Sequence, residues 1–108
     1  MKPIAWVDDS LECLRAFPPA AKSDAGYQLE RVQRGEEPKH WRPMPSIGMG
    51  VSEIKVRAEG AFRVVYVAKF AEAIYVLHAF RKKSRETGRS DIDLSRRRYS
   101  ALLAKRRQ

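Results

Sequence analysis

The chain has 108 residues, 44% of them apolar, with a single cysteine and a formal net charge of +9. That length suits one domain, residues 1–108, able to bury a core without metal or disulfide support, and the apolar content excludes a disordered polycation. The lone Cys13 excludes an internal disulfide and a cysteine-based metal framework, so a reducing compartment is expected.

The charge is concentrated. His78 to Gln108 carries eleven Lys/Arg against three Asp/Glu, which predicts attraction to a polyanion through counterion release. No apolar stretch approaches the roughly 18–20 residues needed to cross a membrane. The early apolar run Ile4 to Val7 is too short for a signal peptide. A soluble, cytoplasmic protein without membrane partners is expected.

In chain order, PIAWV (Pro3 to Val7) reads as a short first strand. Asp9 reads as a helix N-cap, with Glu12 completing a capping box. Leu11, Leu14 and Phe17 give that helix its apolar side, and Cys13 on it reads as packing. Pro18-Pro19 ends it. A second helix is predicted from Pro19, where proline suits a first turn. Ala21, Ala25, Leu29 and Val32 share one face of it, and Gly35 closes it. Glu36 to Pro45 contains three prolines and is predicted to be loop, with His40 on its surface.

The period then changes to two. Strands are predicted at Val51–Arg57, Ala61–Ala68 and Ala73–Phe80, and their short connections favour antiparallel neighbours. A basic helix is predicted from about Asp91 to Lys105, capped by Ser90, with an apolar stripe of Ile92, Tyr99, Leu102 and Leu103.

Strand alternation sorts the side chains by face. Ile54 and Val56 point to the core beneath the helical hairpin, while Glu53, Lys55 and Arg57 point the other way. Phe62, Val64 and Tyr66 share one face of the next strand. Arg63, Val65, Val67 and Lys69 share the other. The last two strands are apolar on both faces, so the second face needs cover from the C-terminal helix or a partner. Lys69 reads as a solvated cation. Arg63 stands out within an apolar strand, and antiparallel pairing can bring Lys55 and Arg57 beside it, a grouping that suits phosphate. His78 has two readings: a core-rim histidine bonded to backbone, or a base or phosphate ligand. Tyr66 likewise reads as core aromatic or catalytic phenol. There is no phosphate-binding glycine loop, metal motif or nucleophile elbow, and no cofactor is expected.

Three stretches together resemble the RelE/ParE superfamily of toxins, in its phage-related, HigB-like branch. They are Gly48-Met49-Gly50-Val51-Ser52-Glu53-Ile54-Lys55, Phe62-Arg63-Val64-Val65-Tyr66 and His78-Ala79-Phe80-Arg81-Lys82-Lys83, with the loop Trp41 to Met44. The resemblance implies an α+β, RelE-like fold in the order β-α-α-β-β-β-α. It has an N-terminal helical hairpin on a mostly antiparallel sheet and a basic C-terminal helix. It implies a metal-independent endoribonuclease that cleaves mRNA on the ribosome and is neutralised by a cognate helix-turn-helix antitoxin. A gyrase poison or an inactive binding module on the same fold is the alternative.

By the same resemblance Arg63 and Lys83 contact the phosphate and the transition state, Lys55 is a candidate base or contact, and His78 is a further catalytic candidate. Arg57, Tyr66, Arg81, Lys82, Arg96 and Arg97 are further RNA contacts. Two positions depart from the family pattern: Lys55 replaces an arginine, and Thr87-Gly88 replaces Thr-Pro.

Overall fold

The computed structural model describes residues 1–108. The elements are β1 (Ile4–Trp6), α1 (Ser10–Arg15), α2 (Pro19–Gln33), β2 (Trp41–Pro43), β3 (Val51–Arg57), β4 (Ala61–Val67), β5 (Ile74–Arg81) and α3 (Arg89–Arg106). They form one five-stranded sheet in the order β1-β5-β4-β3-β2. β1 runs parallel to β5, and every other pair is antiparallel.

The expected order is present with one strand more. Within the loop predicted over Glu36 to Pro45, Trp41–Pro43 pairs with Ser52–Ile54 at the sheet edge. The pairing continues into the flanking residues: Met44 N–H donates to the Val51 carbonyl and the His40 carbonyl accepts from Lys55 N–H, both at 2.8 Å. Pro43 therefore turns its nitrogen outward, where an edge strand needs no donor. The three longer strands end within a residue of expectation.

Both sheet faces are covered, as their two-sided apolar pattern requires. On one side Ile54, Val56, Phe62, Val64, Tyr66, Ile74 and Val76 pack against Leu14, Phe17, Ala21, Ala25 and Leu29 of the helical hairpin. On the other, Val51, Val65, Val67, Leu77 and Phe80 pack with Met44, Ile47 and Tyr99, flanked by Ile92, Leu102 and Leu103 of α3. No helix is long and apolar enough to cross a membrane.

Strict alternation breaks once. His78 lies opposite Val65 but Val76 lies opposite Tyr66, so Leu77 is an extra residue in β5. This β-bulge sends both Leu77 and His78 to the α3 side. Arg98 of α3 donates to the Leu77 carbonyl at 2.8 Å and to Asp9 Oδ1 at 2.6 Å. It thereby joins α3, the bulge and the start of α1.

Two expected caps are absent, one because of a distant partner and one because of a shifted start. Asp9 occupies the N-cap of α1 without a side-chain capping bond, because its carboxylate serves Arg98. α3 starts at Arg89 with Gly88 at its N-cap, so Ser90 falls inside the first turn. Gly35, at φ +84°, closes α2 as its position suggests.

Candidate nucleic-acid site

Cross-strand register lays out the α3-facing side in three rungs. The first runs Arg42, Glu53, Val65 and His78. The second runs Lys55, Arg63 and Phe80. The third holds Arg57 and Ala61, with Lys82 donating its N–H to the Ala61 carbonyl at 2.8 Å. Directly opposed residues have Cβ atoms about 4.5–5.5 Å apart. Lys55, Arg57, Arg63 and Lys82 therefore meet at one corner, beside the β3–β4 turn.

Arg63 is the fixed point of that corner. Its side chain is buried, with Nη1 donating to the Phe62 carbonyl at 2.9 Å and Nε 3.4 Å from Glu53 Oε1. Glu53 is fully buried and also accepts from Arg42 Nε at 3.2 Å and from Thr87 Oγ1 at 2.8 Å. Arg42 in turn donates to Thr87 Oγ1 at 3.1 Å. One carboxylate thus ties two guanidinium groups and the segment before α3 into a single network. Burial lowers the pKa of Arg63, Glu53 opposes that shift, and Arg42 and Arg57 reinforce it. An arginine starts so far above neutrality that it keeps its charge. No protein acceptor engages its Nη2, and the side chain lines a cleft at the β3 edge.

Lys82 is half-buried, and its pKa is held below the ordinary lysine value. Desolvation is the largest cause, followed by the charges of Arg63 and Arg42 and, more weakly, Lys55; Glu53 pulls against them. Lys83 is exposed and enters no ion pair. Alternation explains the difference. Phe80 faces α3, Arg81 packs over the Phe62 ring on the opposite side at 5.7 Å, and Lys82 returns to the side of Arg63. The structure brings Lys82, not Lys83, to the corner.

The other residues singled out by sequence are placed as follows. His78 is buried one rung from Arg63, stacked on Phe80 at 4.8 Å, with Nε2 2.9 Å from Asp91 Oδ1. Its partner is a carboxylate of α3 and not backbone, and Nδ1 has none. Tyr66 is buried on the hairpin side, away from the corner, and burial pushes its pKa up to about 12. Arg96 donates twice to the Ser46 carbonyl, at 2.6 and 3.0 Å, securing the loop after β2. Arg97 is exposed on α3. Arg81, Arg96 and Arg97 stay outside the corner.

Glu53 and Arg42 are not among the residues that the sequence picks out. One signal was available for Glu53: it shares a strand face with Lys55 and Arg57 in a strand that also carries Val51, Ile54 and Val56, and a carboxylate buried there needs a partner. Arg42 lies in a segment without periodicity, so nothing local points to it. No three His, Cys, Asp or Glu side chains converge to hold a metal. The corner's chemistry is that of fixed cations.

A mixed five-stranded sheet between a helical hairpin and a C-terminal helix makes a small α+β protein, an architecture consistent with an α+β toxin fold. The chain matches the family described as phage derived protein Gp49-like (DUF891) over residues 12–100, and it belongs to that family. The family is RelE/HigB-like and is associated with the toxins of toxin–antitoxin systems, which suggests an antitoxin as partner. No curated protein matches the chain.

Proposed function

We propose that this protein is the toxin of a toxin–antitoxin pair, an endoribonuclease that cleaves mRNA on the ribosome and is neutralised by a helix-turn-helix antitoxin. One observation carries the reading: Arg63, buried and oriented by Glu53, opens onto a corner shared with Lys55, Arg57 and Lys82.

RNA carries its own nucleophile, so the protein needs to remove a proton and stabilise charge. Lys82, in its neutral form, takes the proton from the 2′-hydroxyl. The 2′-oxygen attacks the adjacent phosphorus, and the bond from phosphorus to the 5′-oxygen breaks. Arg63 Nη2 and the Lys55 ammonium hold the non-bridging oxygens as negative charge builds on them. The protonated Lys82, or a solvent proton, meets the departing 5′-oxygen. The products are a 2′,3′-cyclic phosphate and a 5′-hydroxyl.

The test is to incubate the purified chain with translating ribosomes and map new mRNA ends. New 5′-hydroxyl ends, strongly reduced but still measurable with Arg63→Ala, are expected. Intact mRNA, with or without inhibited DNA supercoiling, overturns the reading.

A further inference from the structure

The cationic corner continues around the open edge of β3 into a cleft of about 370 Å³. Lys39, His40, Lys55, Arg57 and Arg63 line it, and Asp24 of α2 is its one acidic residue. Lys39 and His40 belong to no role described so far. They follow buried Pro38 and precede β2, yet their backbone is held firmly.

Buried Gln28 of α2 does much of this. Its Oε1 accepts from His40 N–H at 3.3 Å, and its Nε2 donates to the Lys55 carbonyl at 3.2 Å and to Asp24 Oδ2 at 3.1 Å. The His40 carbonyl then accepts from Lys55 N–H at 2.8 Å. Gln28 and Lys55 thus fix the segment carrying Lys39 and His40 against β3, and Gln28 draws one oxygen of Asp24 toward itself. The Lys39 ammonium lies 5.5 Å from the centre of the Tyr27 ring, which holds it at the mouth. β2 stops short of Arg57. By strand alternation the Arg57 backbone N–H lies on this same open edge, adding a donor.

We infer that this edge cleft is a second phosphate subsite, in which Lys39, His40 and Arg57 take the backbone phosphate of the nucleotide next to the one held on Arg63. The inference rests on the RNA-cleavage reading for its ligand but is read by binding alone. Two subsites around one strand edge make the protein grip a strand across at least two consecutive phosphodiesters. A dinucleotide, with one phosphate, uses only the corner.

The experiment measures binding of fluorescent, fully 2′-O-methylated RNA by anisotropy, across a series of salt concentrations. It compares a dinucleotide with a hexanucleotide on the full chain and on Lys39→Gln/His40→Gln. Both side chains are exposed, so the variant keeps the fold, and a matching thermal midpoint checks this. For the hexanucleotide, the slope of log K against log[salt] falls by about 0.7, the share of one phosphate on a single strand, and affinity drops. The dinucleotide is unaffected. An unchanged hexanucleotide slope, an equal loss for both lengths, or a wild-type chain that binds neither RNA overturns the inference. If the slope falls as expected but no mRNA is cut on ribosomes, the subsite stands and the ribonuclease reading falls.

Discussion

Glu53 Oε1 lies 3.4 Å from Arg63 Nε, with the carboxylate side chain 0% and the guanidinium side chain 6% exposed. Two charges withdrawn so far from water stand because each offsets the other's charge, and because Arg42 and Thr87 hydrogen-bond the carboxylate. Removing one partner leaves the other buried and uncompensated. Glu53→Met is expected to cost about 3–5 kcal/mol in urea unfolding. Glu53→Met/Arg63→Met should be more stable than Glu53→Met alone, since it removes the stranded charge. A double variant as unstable as the sum of both singles contradicts this coupling.

The two neighbouring lysines should separate cleanly. Lys82 faces Arg63 and Lys83 does not, so Lys82→Ala should lower RNA-cleavage kcat/KM by about 10²–10⁴-fold, with Lys83→Ala close to wild type. A base acts in its neutral form, and the Lys82 pKa lies below the ordinary 10.5 because of desolvation and then Arg63. The rate should therefore rise with pH through a value below 10.5 and level off above it. Arg63→Met removes one of the repelling charges and should move that limb to higher pH. A limb that stays in place identifies another group as the base.

Much of this arrangement is legible in the chain because it is local. Alternation in β3 and β4 assigns Ile54, Val56, Phe62 and Val64 to the hairpin and Lys55, Arg57 and Arg63 to the other side, and the sheet follows. Alternation fails in β5 at Leu77, where the extra residue is stabilised by Arg98 from another element. The capping box at Asp9 fails in the same way: its pattern is local, but the partner that takes the carboxylate lies 89 residues away. The choice of Lys83 over Lys82 turns on how far β5 extends its pleat, which register with Ala61 decides and spacing alone does not.

Arg98 offers a test of how α3 is attached. Its Nη1 satisfies the Leu77 carbonyl, and an unsatisfied buried group costs about 1–3 kcal/mol. Arg98→Met should lose roughly that much in urea unfolding, and amide exchange in α3 should speed up ahead of the central strands. The Asp9 carboxyl is held below its ordinary 3.8 chiefly by the hydrogen bond from Arg98. A carboxylate with a lowered folded-state pKa contributes stability that is present above its ordinary value. That contribution is lost as pH falls through the lowered value. In Arg98→Met the Asp9 titration, followed by carbon NMR, should move up toward 3.8 and this acid dependence should vanish. An Asp9 titration that does not move shows that Arg98 does not hold it in solution.

Gly48 ties the glycine motif to packing and not to phosphate. A Cβ at this position would fall on the Tyr99 ring, against atoms Cδ2 and Cε2. The ring cannot simply swing aside: Tyr99 is buried, and its hydroxyl donates to the Met49 carbonyl at 2.9 Å. Gly48→Ala must therefore displace the ring and strain the loop that Arg96 also grips through Ser46. Overpacking of this kind costs about 1–3 kcal/mol. Urea unfolding should show that loss, and the tyrosine signal in near-ultraviolet circular dichroism should change. Gly48→Ala/Tyr99→Leu removes the clash and should recover part of the stability lost by Gly48→Ala, measured relative to Tyr99→Leu. Because Tyr99 packs on Val51 and Val67, away from the rungs that carry Lys55 and Arg63, kcat per folded molecule should remain near that of the wild type. A Gly48→Ala protein that is fully stable but inactive would instead place this glycine in contact with RNA.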